Sequence, residues 1–287
     1  MTALRDIGRA KINLTLEVLG RRADGFHEIK SLVAFASFGD DLELTPAEGL
    51  ELEVEGPFAA LIGDDNLILE AARAVRERVP GLRLGRFRLN KVLPVAAGLG
   101  GGSADGAAAL RLIARINPKL PATAPAEIAP TLGSDVSVCL ASGPALITGR
   151  GEKVEEVGGF PACGVVLVNP GQSLSTETVY AACCAKPSAM AQHAAEKLDF
   201  GGDLGTLLAY ALPRGNDLEA PAINLVPEIA DVLHALSACQ AVRLARLSGS
   251  GPTCFALLVT EDDAKECAAR LAAEHPAWWI AAGLLRT

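Results

Sequence analysis

The sequence predicts an α+β fold in two domains, residues 1–155 and 156–287. Three observations predict it. Stretches of period two and period 3.6 are interspersed without strict strand–helix–strand alternation, which disfavours a doubly wound parallel sheet. Half of the 287 residues are hydrophobic and 21% are charged, enough apolar material for substantial cores. The run Gly158-Gly-Phe-Pro161, just ahead of the apolar Gly164–Val168, places a soft boundary near residue 156.

Taken in order, residues 10–19 alternate apolar and polar and predict a half-buried strand. Leu42-Glu-Leu44 and Leu50-Glu-Leu-Glu-Val54 repeat that pattern. Residues 66–79 change to helical spacing, with Leu67, Ala71 and Val75 four apart and Asn66 or Asp65 available as a cap. Leu82–Leu89 alternates again, with a phase slip at Gly85 that suggests a bulge or bend. A helix is expected from Ser103 to about Ile116, stopped by Asn117-Pro118, and Pro121, Pro125 and Pro130 leave room for a short helix at most afterwards. The second half reads as a buried strand at 164–168, helices at 176–198 and 226–239, strands at 242–247 and 254–259, and a helix over about 262–273.

The net charge of −8 makes the chain a poor general binder of nucleic acid or anionic membrane, so an anionic ligand needs a local device to hold it. No apolar run reaches the roughly 18–20 residues of a membrane span. The opening Met1-Thr-Ala-Leu-Arg-Asp6 lacks the order of a signal peptide. The seven cysteines (139, 163, 183, 184, 239, 254 and 267) are odd in number, scattered, and form no Cys-x-x-Cys pair. A cytoplasmic setting with free, buried thiols is expected, with neither disulfides nor a metal held by the protein.

The most informative segment is Pro94-Val95-Ala96-Ala97-Gly98-Leu99-Gly100-Gly101-Gly102-Ser103-Ala104, running directly into the 103–116 helix. Glycines so dense carry a large backbone entropy penalty and make sense where the main chain must approach a ligand closely. A glycine loop opening a helix directs free N–H groups and the positive end of the dipole at one spot, which suits phosphate. The pattern is neither Gly-x-x-x-x-Gly-Lys-Ser/Thr nor Gly-x-Gly-x-x-Gly, so the common P-loop and dinucleotide folds are disfavoured. Taken alone, the segment also fits a flexible turn before an ordinary helix. A second glycine turn, Ser248-Gly249-Ser250-Gly251, sits between two apolar strands. It reads as a plain connection or as a loop closing on phosphates.

Three segments together carry a specific resemblance. The first glycine loop resembles the Pro-x-x-x-Gly-Leu-Gly-x-Ser-Ser motif of the GHMP superfamily of small-molecule kinases. Ala10-Lys-Ile-Asn-Leu14 is similar to its first motif and Leu247-Ser-Gly-Ser-Gly-Pro252 to its third. Gly20–Ile29, Leu132–Val136 and Arg214–Glu219 resemble the branch acting on a cytidine-diphosphate-linked methylerythritol in the non-mevalonate route to isopentenyl diphosphate. That branch usually carries Gly where Ala97 stands, Tyr where Phe26 stands and Ser where Ala104 stands. The resemblance implies a ribosomal-S5-like N-terminal domain, a ferredoxin-like C-terminal domain and an active site in the cleft between them. It also implies transfer of phosphate from ATP, with Mg²⁺, to the substrate's 2-hydroxyl. Another kinase of the superfamily (homoserine or mevalonate type) and a non-catalytic nucleotide-binding regulator are the alternatives.

Phosphoryl transfer needs a cradle for the triphosphate, a group to take the hydroxyl proton, and positive charge nearby. Residues 94–104 are the expected ATP cradle. Asp135 follows the helix-stopping Gly133 and reads, from the residues alone, as an ordinary helix cap; the resemblance makes it the base. Lys11, in an apolar strand, shares a face with Asn13. It is either a solvent-facing edge lysine or, in the functional reading, the partner that orients Asp135. The resemblance sets Asn66 and Lys91 around adenine, and Asn13, Phe26, His27 and Thr176 at the substrate. An aromatic face can stack on cytosine, and an imidazole can bond its edge. A monomer or weak homodimer is expected, with no nucleic-acid or membrane partner.

Overall fold

The computed structural model describes residues 3–63, 65–183 and 197–287. The chain begins with four strands, β1 (Leu4–Asn13), β2 (Glu17–Arg21), β3 (His27–Ala47) and β4 (Leu50–Glu55). Helix α1 (Leu67–Arg78) and strand β5 (Leu84–Asn90) precede three helices, α2 (Gly101–Ile116), α3 (Ala124–Leu132) and α4 (Val136–Ala141). Strands β6 (Ala145–Gly149), β7 (Lys153–Glu156) and β8 (Gly164–Asn169) lead to helices α5 (Thr176–Ala182), α6 (Leu204–Ala211), α7 (Glu219–Leu225) and α8 (Glu228–Ser237). The described chain ends with β9 (Leu244–Leu247), β10 (Cys254–Leu258), α9 (Glu261–Glu274) and β11 (Trp279–Leu284).

Two compact units emerge. The first comprises Met1–Lys11, Phe38–Val95 and Gly100–Ser142; the second comprises Ile12–Ser37, Ala96–Leu99 and Gly143–Thr287. Strand β3 passes through both.

In the first unit the second half of β3 pairs antiparallel with β5, from Asp41↔Asn90 to Ala47↔Leu84, and β5 pairs parallel with β4. Helix α1 is the crossover that a parallel β4–β5 pair requires. Its Asn66 cap accepts a hydrogen bond from the Ile68 amide at 2.9 Å, and it buries Ile68, Ala71, Ala72 and Val75. The bulge expected near Gly85 is not seen, because that residue lies within the continuous β3–β5 register. Helix α2 starts two residues earlier than expected, capped by Gly100 in the left-handed region (φ +62°) instead of by Ser103. The proline-rich stretch holds two short helices, α3 and α4, separated at Gly133.

In the second unit β11, β8, β10 and β9 form an antiparallel sheet in that order. Strand, helix, two strands, helix and strand with this order is the expected ferredoxin-like arrangement, with α5–α7 added between β8 and α8. Val166, Val168, Ile229, Val232, Leu236 and Leu271 belong to its core. The first half of β3 pairs with β6, and β6 with β7.

The strand expected over 10–19 is broken. Leu32 O accepts from both the Leu14 and Thr15 amides, and Leu16 bridges to Asn216 before β2 begins. The helix expected at 226–239 starts later, because Pro227 supplies its first cap and α7 is a separate helix before it. Of the helix expected at 176–198, α5 is seen; residues 184–196, with Cys184, lie outside the described residues. Of the six described cysteines, Cys139, Cys163, Cys239, Cys254 and Cys267 are buried free thiols and Cys183 is part-buried. Among the described residues no helix is long and apolar enough to cross a membrane.

Candidate active site

Within the first unit, the chain leaves the glycine loop at Gly100 and enters α2. The first intrahelical bond of the cap runs from the Ala104 amide to Gly100 O, at 2.9 Å. The amides of Gly101, Gly102 and Ser103 come before it and face no helical acceptor. No side chain caps this end. Three consecutive donors and the dipole therefore point outward from one place.

Lys11 and Asp135 stand beside that helix mouth. Lys11 Nζ lies 2.9 Å from Asp135 Oδ2; the lysine side chain is 6% exposed and the aspartate 34%. A Cβ added to Gly100 would come 3.2 Å from Lys11 Cε and 3.6 Å from Asp135 Oδ2. Asp135 occupies the cap position of α4, yet its side chain makes no capping bond. Its carboxylate is turned to the lysine. This removes the ordinary capping role that the residue has from sequence alone.

Lys91 is 2% exposed, and its Nζ donates to Asp40 Oδ2 (2.7 Å) and Asp105 Oδ2 (2.6 Å). Burial alone would pull its ammonium pKa down, but the two carboxylates outweigh that and hold it above the usual lysine value. Burial pushes the Asp105 carboxyl up to about 8, against the pull of Lys91. The Lys91 amide donates to Glu55 O and its carbonyl accepts from the Phe58 amide. Asn66 caps α1 and also lines a cavity of about 300 Å³, with Leu50, Val54, Ile62, Leu69 and Arg73. The adjacent Leu67 packs on α2, where a Cβ at Gly106 would meet Leu67 Cβ at 3.0 Å.

Within the second unit, residues 96–99 lie against the second glycine turn. Ser248 Oγ donates to Gly98 O (3.1 Å) and the Thr253 amide to Ala97 O (3.3 Å). A Cβ on Gly98 (φ +73°) would sit 2.3 Å from Ser248 O. The two glycine segments that the sequence leaves unconnected are therefore hydrogen-bonded to each other here. Asn13 is buried; its amide donates to Ser248 Oγ and its Nδ2 to Ser31 Oγ, while its Oδ1 has no hydrogen-bond partner. Thr176 Oγ1 and Ser250 Oγ are 2.9 Å apart. Phe26 is 51% exposed, with the Arg150 guanidinium 4.8 Å from its ring centre. His27 stacks on Tyr180 of α5 at 4.9 Å. Partial burial, then the charge of Arg21, lowers the His27 pKa below its ordinary value and favours the neutral ring.

The chain matches the family model "GHMP kinases N terminal domain" over residues 66–144 and "GHMP kinases C terminal" over 191–277. A 4-diphosphocytidyl-2-C-methyl-D-erythritol kinase of Bradyrhizobium sp. is 46% identical, over 98% of this chain and 96% of the relative. One of Rhodopseudomonas palustris is 48% identical, over 98% and 97%. The chain belongs to the 4-diphosphocytidyl-2-C-methyl-D-erythritol kinase family of GHMP kinases. A crystal structure of a 4-(cytidine 5'-diphospho)-2C-methyl-D-erythritol kinase matches with a TM-score of 0.78 and 32% identity, covering 99% of this chain and 100% of that one. A homoserine kinase from Cytophaga hutchinsonii matches with a TM-score of 0.72 but 17% identity, over 99% of this chain and 95% of that one, which shows the shared fold alone. As a GHMP kinase the chain is a small-molecule phosphotransferase that takes ATP.

Two of the three departures from the usual pattern of that branch, Ala97 and Ala104, have a local setting in the structure, and nothing in it explains Phe26. Ala97 is not among the positive-φ residues, so glycine is not required there; Ala96, its neighbour, holds φ +51° instead. Ala104 is buried at 2% exposure. Sequence reasoning missed Tyr180, which only the fold brings to His27. It also left the Arg214–Glu219 segment without a role. Asn216 Nδ2 donates to Leu247 O and Gly249 O, and Glu219 Oε2 accepts from the Leu247 amide, so the segment braces the second glycine turn.

Proposed function

We propose that this chain transfers the γ-phosphoryl group of ATP to the 2-hydroxyl of 4-diphosphocytidyl-2-C-methyl-D-erythritol, giving the 2-phosphate and ADP. The observation that carries the reading is the Lys11–Asp135 ion pair held against the mouth of α2. A proton acceptor, a cation and a row of unpaired amides are what in-line phosphoryl transfer asks of a protein.

In this reading the substrate hydroxyl oxygen attacks the γ-phosphorus, and the bond to the β–γ bridging oxygen breaks. Asp135 accepts the hydroxyl proton. Lys11 orients that carboxylate and offsets charge on the transferring group. The amides of Gly101–Ser103 bind phosphate oxygens, with Pro94–Gly100 and Ala104 framing them. The cavity at Asn66 suits an adenine ring. It sets Leu50, Leu52, Val54, Ile62 and Leu69 beside the polar Asn66 and Arg73, and the adjacent Leu67 ties it to the second turn of the phosphate-binding helix.

Mg²⁺ is expected with the nucleotide. Such a metal is held mostly by phosphates and water, with one or two protein oxygens. Among the described residues no cluster of three or more His, Cys, Asp or Glu side chains could hold a metal unaided. The residues fit a cation delivered on ATP, with Asp135, a part-exposed carboxylate beside the helix mouth, available to complete its shell. When bound, it neutralises charge on the phosphates.

For the second unit, we assign cytosine to Phe26 and His27. The half-exposed ring, with the Arg150 guanidinium over one face, offers a surface for a base to stack on, and a neutral imidazole both donates and accepts. The partnerless Oδ1 of Asn13 suits a substrate hydroxyl, and Thr176 with Ser248–Gly251 suits phosphate oxygens. A division at residue 155/156 falls between the two matched family models.

The test is ADP release from Mg-ATP with three alcohols. Turnover with the cytidine substrate, and none with homoserine or mevalonate, is expected. ADP formed with either of the latter and not with the former would overturn the assignment.

A further inference from the structure

Lys91, Asp40 and Asp105 form a buried charged cluster that the phosphoryl-transfer chemistry leaves unused. The side chains are 2%, 0% and 5% exposed. Burying three ionisable groups is expensive, and buried ion pairs seldom repay it in stability compared with apolar residues of the same size. The cluster's location suggests what it achieves instead. Asp40 Oδ1 accepts from the amides of Val92 (2.6 Å) and Leu93 (2.8 Å), the residues that lead into the glycine loop. Asp105 lies in the second turn of α2, the helix that the loop enters at Gly100. Lys91 Nζ joins the two carboxylates. A Cβ on Gly101 would come 3.1 Å from Lys91 Nζ and 3.6 Å from Asp40 Oδ2, so the ammonium lies directly behind the first residue of α2. A cation at a helix N-terminus is unfavourable by itself, because it faces the positive end of the dipole. Its two carboxylates offset that, and so does a polyanion bound on the other side of the turn.

We propose that Lys91, clamped between Asp40 and Asp105, is a positioning residue for ATP: it ties the entry of the glycine loop to the first turns of α2, and so holds the amides of Gly101–Ser103 in the geometry that receives the triphosphate. This rests on the ATP reading above. It gives the Lys91 side chain a role behind the phosphate cradle in place of one at the adenine ring. A preorganised amide cradle binds tightly because little ordering remains to be done on binding.

The decisive variant is the full-length double substitution Lys91→Met with Asp40→Asn. It removes the ammonium together with one of its two carboxylates; the Asp105 carboxyl that remains, already pushed up to about 8 by burial, takes up a proton, and Asn can still accept from the Val92 and Leu93 amides. Thermal melting should stay within a few degrees of the wild type. The KM for ATP should rise about tenfold or more, while the KM for the cytidine substrate changes less than about threefold. Equilibrium dialysis of ATP should show the same loss without turnover, so a failed kinase assignment and a failed clamp give different results. An unchanged ATP affinity in the folded double variant overturns the proposal. Should that variant not fold, Asp105→Ala cuts the tie to α2 and leaves a neutral Asp40–Lys91 pair. Hydrogen exchange at residues 101–104 should then speed up and the KM for ATP rise; no change in either overturns the proposal equally.

Discussion

Lys11 and Asp135 meet at 2.9 Å, although one comes from the first strand and the other from the cap of a short helix far along the chain. The aspartate's freedom from capping duty, together with its one-third exposure, leaves its carboxylate available to a substrate hydroxyl. Asp135→Ala should lower kcat by about a thousandfold, in the range general-base removal produces, while ATP still binds. Stopped assays of ADP release alongside dialysis would check this. A variant keeping most of its rate would remove Asp135 from the base role.

The substrate side is tested at His27. Its neutral ring stacks on Tyr180 and is free to bond a cytosine edge. His27→Ala should raise the KM for the cytidine substrate roughly tenfold, the worth of a lost hydrogen bond and part of a stacking contact, with the KM for ATP little changed. Equal shifts in both constants would point instead to general loosening.

Backbone requirements separate two neighbouring glycines. Gly98 has φ +73° and a Cβ there would sit 2.3 Å from Ser248 O; Gly102 has no atom within 4 Å of its Cβ position. Gly98→Ala should destabilise by about 2–4 kcal/mol, from left-handed strain plus overpacking. Gly102→Ala should melt close to the wild type. Chemical denaturation of the pair provides the comparison, and equal midpoints would contradict it.

Stability should fall with pH through one buried group. The Asp105 carboxyl is raised to about 8 when folded, against about 3.9 in an unfolded chain. The folded state therefore binds the extra proton between those values. The contribution is complete below about pH 4 and is lost as pH rises through about 8. Melting curves from pH 5 to 9 should fall more steeply for the wild type than for Asp105→Asn. Parallel curves would mean that Asp105 does not titrate there.

Burial pushes the thiols of Cys163 and Cys267 up to about 12. Both should resist iodoacetamide at pH 8 in the native chain and react once it is unfolded, as mass mapping of the modified peptides would show. Rapid native labelling would indicate that these sites open to solvent.

Local chemistry was legible in the sequence. The glycine run, the α1 cap at Asn66 and the mixed strands and helices of the second half follow from short-range rules of dihedral freedom, capping and periodicity, while the ferredoxin-like arrangement of that half came from the family resemblance. The long strand β3 was read only at 42–44, because Ser31–Ala36 is buried throughout and carries no alternation. The mouth of α2 was set two residues late, since glycine can cap a helix without any side-chain signal.

What the sequence determined by itself is the inventory: which residues can accept a proton, carry a charge, or bare the backbone to phosphate. Only the tertiary structure decided how they are used. It turned Asp135 from a helix cap to the partner of Lys11, closed Lys91 between two carboxylates, and brought Tyr180 to His27. Each of these depends on residues distant in the chain, and a pairing set by packing and burial leaves no trace in local spacing.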